Sequence, residues 1–148
     1  MKVVLALLAA VSLAGCSMTP YQDLNLDTTS NFRKPSNTMA GVYVYQWKTG
    51  VLGAMLDVDF EIKDGPTVSL NTGEYGYFEI EPGQYEYKYK GGLWKMHAPI
   101  EFQANQNYFF RAAFANLSDH AFLVRSQQEI NEAKQNIHSG RYEWHEDD

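Results

Sequence analysis

The sequence predicts a mainly β fold, an antiparallel β-sandwich with one C-terminal α-helix. Three observations lead there. Between Gly41 and Arg125, short segments rich in β-branched and aromatic residues alternate apolar with polar side chains, the two-residue period of a half-buried strand. Corners such as Asp64-Gly65-Pro66, Pro82-Gly83 and Gly91-Gly92 punctuate these segments, with turn signals at intervals of about eight to twelve residues, as in sandwich folds. Helical periodicity then appears with a clear start and stop only near the end.

The first strand is VYVYQW, with Val42 and Val44 on one face and Tyr43, Tyr45 and Trp47 on the other. If the valines face the core, the three rings form an outward patch suited to a peptide or glycan. If the strand is covered on both sides, they are core. Tyr43, Tyr45 and Trp47 are therefore the candidate partner-binding residues. Next comes LDVDFEIK, which sends Leu56, Val58, Phe60 and Ile62 inward and Asp57, Asp59, Glu61 and Lys63 outward. Parity constrains the following corner, because a two-residue loop would set Ile62 against Thr67 and bury the wrong face. A three-residue loop or a bulge instead pairs Ile62 with Val68 and Phe60 with Leu70.

The run FEIEPGQYEYKYK, Phe78 to Lys90, reads as a hairpin. With Glu81 and Gln84 closing the corner, Ile80 faces Tyr85, Phe78 faces Tyr87 and Gly76 faces Tyr89, all on the buried face. This register sets Glu79 against Glu86 in water and leaves Lys88 on the solvent side. Leu93 to Phe102 has no clean period and reads as a strand bent at Pro99. Asn107 to Phe114 is a strand by composition, NLSDH a turn, and AFLVR a last short strand. Ser126 followed by Glu129 is a capping box that opens a helix from Gln127 to His138, with Ile130, Ala133 and Ile137 on one face and Gly140 as its stop.

The N-terminus adds an address. MKVVLALLAAVSLAGC has one charge, Lys2, then an apolar run from Val3 to Ala14, too short to span a bilayer core about 30 Å thick. Leu13-Ala14-Gly15-Cys16 resembles the lipobox of bacterial lipoproteins, which implies that residues 1–15 are a signal peptide and that Cys16 is acylated, typically with palmitate among its chains. Cys16 is the only cysteine, so an internal disulfide is excluded. Ser17, rather than Asp, in the next position resembles an outer-membrane sorting signal. Residues 16–40 are polar and without period, and read as the lipidated Cys16 and a flexible tether. The folded domain spans residues 41–140, and RYEWHEDD, residues 141–148, reads as a solvated acidic tail.

Without residues 1–15 the chain has 11 basic and 18 acidic side chains, a formal charge of -7. A chain this acidic, with no Lys/Arg cluster, argues against nucleic acid as a partner. No HExxH, GxSxG or phosphate-binding glycine loop is present, and no cofactor is implied. Asp57, Asp59 and Glu61 share a strand face at spacings of about 7 Å but read as a solvated face, so no metal site is assigned. Ser118-Asp119-His120 has the residue types of a catalytic triad, yet neighbours in a turn cannot line up nucleophile, base and orienter; it reads as turn chemistry.

Taken together, VYVYQW, the Asp-Gly corner, the aromatic approach to Pro-Gly, NYFFR and FLVRSQQE resemble small bacterial lipoprotein domains of unknown function, over roughly Ala40 to His138. That resemblance implies a sandwich of the immunoglobulin-like or carboxypeptidase-regulatory kind and brings no catalytic residues. Gln46 stands where the family pattern commonly has Arg. The functional expectation is a non-enzymatic envelope lipoprotein, anchored in the outer membrane through Cys16 and facing the periplasm or the surface, that serves as a structural or interaction module with a protein or glycan partner. The alternative is an envelope-polymer hydrolase or an adhesin-like binding module.

Overall fold

The computed structural model describes residues 32, 34–46, 56–138 and 143–144; Cys16, Ser17 and Trp47 lie outside them. The elements are β1 (Ala40–Gln46), β2 (Val58–Glu61), β3 (Thr67–Leu70), β4 (Glu74–Ile80), β5 (Gly83–Lys90), β6 (Met96–Phe102), β7 (Asn107–Ala115), β8 (Ser118–Leu123), α1 (Gln127–His138) and β9 (Glu143–Trp144). Seven strands form one sheet in the order β6-β5-β8-β7-β1-β4-β9, and β2-β3 is a separate ribbon. The protein is mainly β, consistent with the expected sandwich. It is not purely antiparallel: β1 pairs parallel to β7, and β4 parallel to β9. Parallel neighbours go with burial on both faces, and every residue of β1 is buried.

The β5-β8 seam is held by one bridge pair, Lys90 with His120. Where β5 departs from β8 it meets the ribbon instead, through an Ile62–Tyr87 bridge and a hydrogen bond from the Lys63 amide to the Glu86 carbonyl (2.8 Å). Strands β5 and β6 and the ribbon thus form a second layer over β8-β7-β1-β4. Between the layers lies the main core, with Val42, Val44, Phe60, Ile62, Leu70, Phe78, Tyr87 and Phe110 among its buried members. Phe60 is its hub: its ring centroid lies 4.7 Å from that of Phe110, 6.3 Å from Phe78 and 6.4 Å from Tyr87.

This arrangement corrects the hairpin read from Phe78 to Lys90. Strand β4 pairs with β1, Phe78 opposite Val42, and β5 pairs with β6, Tyr87 opposite Ala98. The Pro82-Gly83 corner carries the chain from one layer to the other, so Phe78 and Tyr87 meet the same core across the sandwich rather than side by side. The inward faces were right, because alternation fixes a face whatever the partner; Tyr85 and Tyr89, however, are only partly buried. Glu79 and Glu86 do not oppose one another: Glu79 accepts from the Ser36 amide (3.1 Å), and Glu86 pairs with Lys63. At the other corner the odd loop is present, Lys63-Asp64-Gly65, closed by the Ile62 amide donating to the Pro66 carbonyl (2.8 Å). The register is shifted by two residues, Phe60 opposite Val68 and Val58 opposite Leu70. A shift of two keeps the buried face. Leu56, expected inside, precedes β2 and is exposed.

The opposite face of the main sheet is covered by α1, which starts and ends where the capping box and period place it; the Glu129 amide donates to Ser126 Oγ (3.1 Å). Ala133 and Ile137 bury against Tyr43, Tyr45, Tyr75, Tyr77 and Phe109. Part of the expected tether belongs to this domain. Pro35 is buried, Phe32 packs against Tyr43 and Phe109, and the Asn105 amide donates to the Met39 carbonyl (2.8 Å). Polar composition concealed this docking because backbone groups, one ring and polar side chains, such as the Ser36 hydroxyl donating to Glu79 and Asn105 Nδ2 donating to the Asn37 carbonyl, carry it. The expected tail likewise contributes β9, a two-residue strand beside β4.

Candidate functional site

The structure places Tyr43 and Tyr45 in the core, 1% and 4% exposed, so of the two readings of this strand the core one holds for them and the partner-binding patch is corrected. The physical reason is that β1 is covered on both faces, by the ribbon layer and by α1. Tyr43 stacks on Phe109 at 5.0 Å and tilts against Tyr77 at 4.6 Å. Burial pushes the hydroxyl pKa of both Tyr43 and Tyr77 well above the usual tyrosine range, and nearby Glu79 pushes in the same direction. Gln46, fully buried, donates from Nε2 to the Leu56 carbonyl (3.1 Å) and Thr72 Oγ1 (3.0 Å), tying β1 to the start of the ribbon and to the turn before β4.

Outside that core, two features hold chemistry. The first is a charged junction where β2, β5, β6 and β8 converge. Lys88, expected in solvent, is buried and lies 3.4 Å from Glu61 Oε2, with His97 Nε2 4.0 Å from Glu61 Oε1 on the other side. The ribbon's docking beside β5 covers a face that would be open in an isolated hairpin. Asp119 belongs to the same junction: burial raises its carboxyl pKa, the Lys88 ammonium lowers it and the Asp59 carboxylate raises it. Ser118, Asp119 and His120 are strand residues of β8, not a turn. Ser118 Oγ lies 3.0 Å from His120 Nε2, while Asp119 between them points to the opposite face. Of the three carboxylates on β2's solvent side, Asp59 accepts from Ser69 Oγ (2.7 Å), Glu61 faces Lys88 and Asp57 is exposed. No group of three or more metal-binding side chains gathers among the described residues.

The second feature is apolar. The β5–β6 loop, residues 91–95, and the β7–β8 turn at Asn116-Leu117 abut at one end of the sandwich: the Gly91 amide donates to the Asp119 carbonyl (2.7 Å). Gly92 sits at φ 75°, so close to Ser118 that a Cβ there would lie 3.0 Å from the serine Cβ. These tips expose Leu93 at 99%, Leu117 at 89% and Trp94 at 75%, with Met96 at 43% beside them. Strand periodicity does not single them out, although GGLWK interrupts the alternation with two large apolar residues where a loop should be polar.

A family model described as "Protein of unknown function (DUF2846)" matches residues 36–125. The chain belongs to this family. The match starts within the docked segment before β1 and ends after β8, so it takes in both hairpin tips and the whole charged junction. No curated protein and no solved structure matches.

Proposed function

We propose that this protein is a cell-envelope lipoprotein, held in the outer membrane by acylation of Cys16, that acts as a non-catalytic interaction module. The observation that supports the interaction role is the pair of abutting hairpin tips presenting Leu93, Trp94 and Leu117 to solvent. Large apolar side chains gathered at one exposed end mark contact surfaces rather than ordinary surface composition. The anchor rests on the Leu-Ala-Gly-Cys motif and on Cys16 being the sole cysteine. Its test is Cys16→Ser with metabolic labelling by a fatty-acid probe. The variant should lose the label and leave the membrane fraction; a labelled or membrane-bound Cys16→Ser protein overturns the anchor.

A second reading, envelope-polymer hydrolysis, draws on Asp119, whose raised carboxyl pKa beside Asp59 is the kind of asymmetry an acid/base pair uses. It requires that Asp119→Asn abolish a measurable turnover of peptidoglycan while the fold is retained. On the interaction reading, the variant behaves as wild type in that assay.

A further inference from the structure

We infer that the two hairpin tips form a bilayer-docking site, which seats Leu93, Trp94 and Leu117 among the headgroups and upper acyl chains of an anionic membrane. The inference deepens the interaction role proposed above by naming its partner. Four observations carry it.

The apolar side chains stand on protruding loops rather than lining a cavity. They suit a deformable, interfacial medium better than a shaped ligand. Tryptophan is the residue whose amphipathic ring favours that depth.

The second observation is conformational. Asn116 and Leu117 have φ of 50° and 62°, the left-handed region at both central positions of a two-residue hairpin turn. That geometry favours Asn-Gly, and a bulky side chain at the second position is strained. The chain holds a leucine where glycine would relieve strain, and that leucine is almost wholly in water. Packing among the described residues gives this leucine little, and insertion into a bilayer would supply the apolar surroundings that offset the strain.

Charge is the third. From Tyr87 to Ile100 the chain carries Lys88, Lys90 and Lys95 and no carboxylate. Lys88 is engaged with Glu61, but Lys90 and Lys95 form no ion pair among the described residues and flank the apolar tip. This is a local basic collar on an acidic protein. Asp119, whose carbonyl accepts from the Gly91 amide at the base of the tip, puts a carboxylate beside it, but that carboxylate interacts with Lys88; charges farther away are screened beyond a Debye length of about 8 to 10 Å, which leaves Lys90 and Lys95 to meet the headgroups.

The fourth is reach. Phe32, where the described chain begins, packs on Phe109 near the start of β7, and Leu117 follows eight residues later beyond its far end. At about 3.3 Å per strand residue the tip is roughly 26 Å from that point. Ser17–Asn31, fifteen residues, spans at most about 50 Å when fully extended. A chain acylated at Cys16 can therefore lay its tip on the same bilayer.

The test uses the purified full-length mature protein and vesicles of phosphatidylcholine brominated in the upper acyl chain, with or without phosphatidylglycerol. Trp94 emission is isolated as the difference between wild type and Trp94→Phe. With phosphatidylglycerol present, Trp94 should shift to the blue and be quenched by bromine. Leu117→Gly, which relieves backbone strain and so remains folded, should cut the docked population by about tenfold, the factor that corresponds to 1.4 kcal/mol. Lys90→Gln and Lys95→Gln should each reduce the phosphatidylglycerol preference by about fivefold. Flotation separates this claim from the anchor. Acylated protein floats with pure phosphatidylcholine whether or not the tip docks, and failure to float there overturns the anchor alone. Protein that floats while Trp94 keeps its aqueous emission in every vesicle overturns the docking site. So does a Trp94 shift that appears only when envelope proteins are added.

Discussion

On one face of β1, Val42 and Val44 meet Phe60, Phe78 and Phe110 in a core built almost entirely of hydrocarbon; on the other, Tyr43 and Tyr45 lie with Tyr75 and Tyr77 beneath α1. The first face is enclosed between two β layers, so a hydroxyl at its centre would find no partner and would be costly to bury. The second is roofed by a single helix, narrow enough for ring edges to reach polar groups at its margins, as the Tyr77 hydroxyl does in donating to Glu79 (3.0 Å). Both faces are buried, but β1 and β4 turn titratable side chains only to the second, the hydrocarbon side receiving its tyrosine, Tyr87, from β5. The hydrocarbon face should therefore respond to lost volume and the tyrosine face to lost volume and to pH.

The largest test of that contrast is Phe60→Ala. It removes the hub ring of the hydrocarbon face and should cost about 3 to 5 kcal/mol, a large part of a domain's usual 5 to 15 kcal/mol. A denaturant midpoint unchanged from wild type would break the assignment of two layers. Tyr87→Ala, one bridge away, should fall in the same range. Lys88→Ala comes next. As a buried lysine facing Glu61 it should cost roughly 1 to 3 kcal/mol, where a strand-face lysine in water would cost almost nothing. Urea titration of the purified variant distinguishes the two.

Smaller effects sharpen the other face. Ser126→Ala removes the cap of α1 and should cost about 1 kcal/mol, with helical signal fraying before strand signal on heating. Tyr77→Phe should cost about 0.5 to 1 kcal/mol at neutral pH. Its informative behaviour is alkaline. The folded-state pKa of Tyr77 is raised, so its burial supports folding fully below the unfolded value near pH 10 and loses that support as pH climbs beyond it. The variant should therefore unfold at a higher pH than wild type. An unshifted alkaline midpoint would mean that Tyr77 ionises in the folded state as it does in water. Asp119 behaves in the same sense at acid pH. Its raised folded pKa favours the fold below the usual carboxylate range and loses that contribution as pH rises through it, so Asp119→Asn should steepen the acid limb of the stability profile.

Much of this protein was legible from local sequence. Alternation named Val58, Phe60, Ile62, Val68, Leu70, Phe78, Ile80 and Tyr87 as inward-facing, and all are buried. A capping serine with a helical period placed α1 from Gln127 to His138. These features depend on a residue and its near neighbours, which is the range over which backbone geometry dictates direction. Tertiary structure alone decided which strands meet. Period two assigns a side chain to a face without saying whether its strand lies beside the next in sequence or across a core from it, so the Pro82-Gly83 corner could read as a hairpin and serve as a crossing between layers. The same gap explains Tyr43 and Tyr45, whose burial required knowing that β1 sits between β7 and β4 under a helix. It explains Lys88, whose solvent face is covered by a ribbon some 25 residues earlier in the chain. It also explains the tips, because Leu93 and Leu117 share one end of the domain only after β5 and β8 have been brought together.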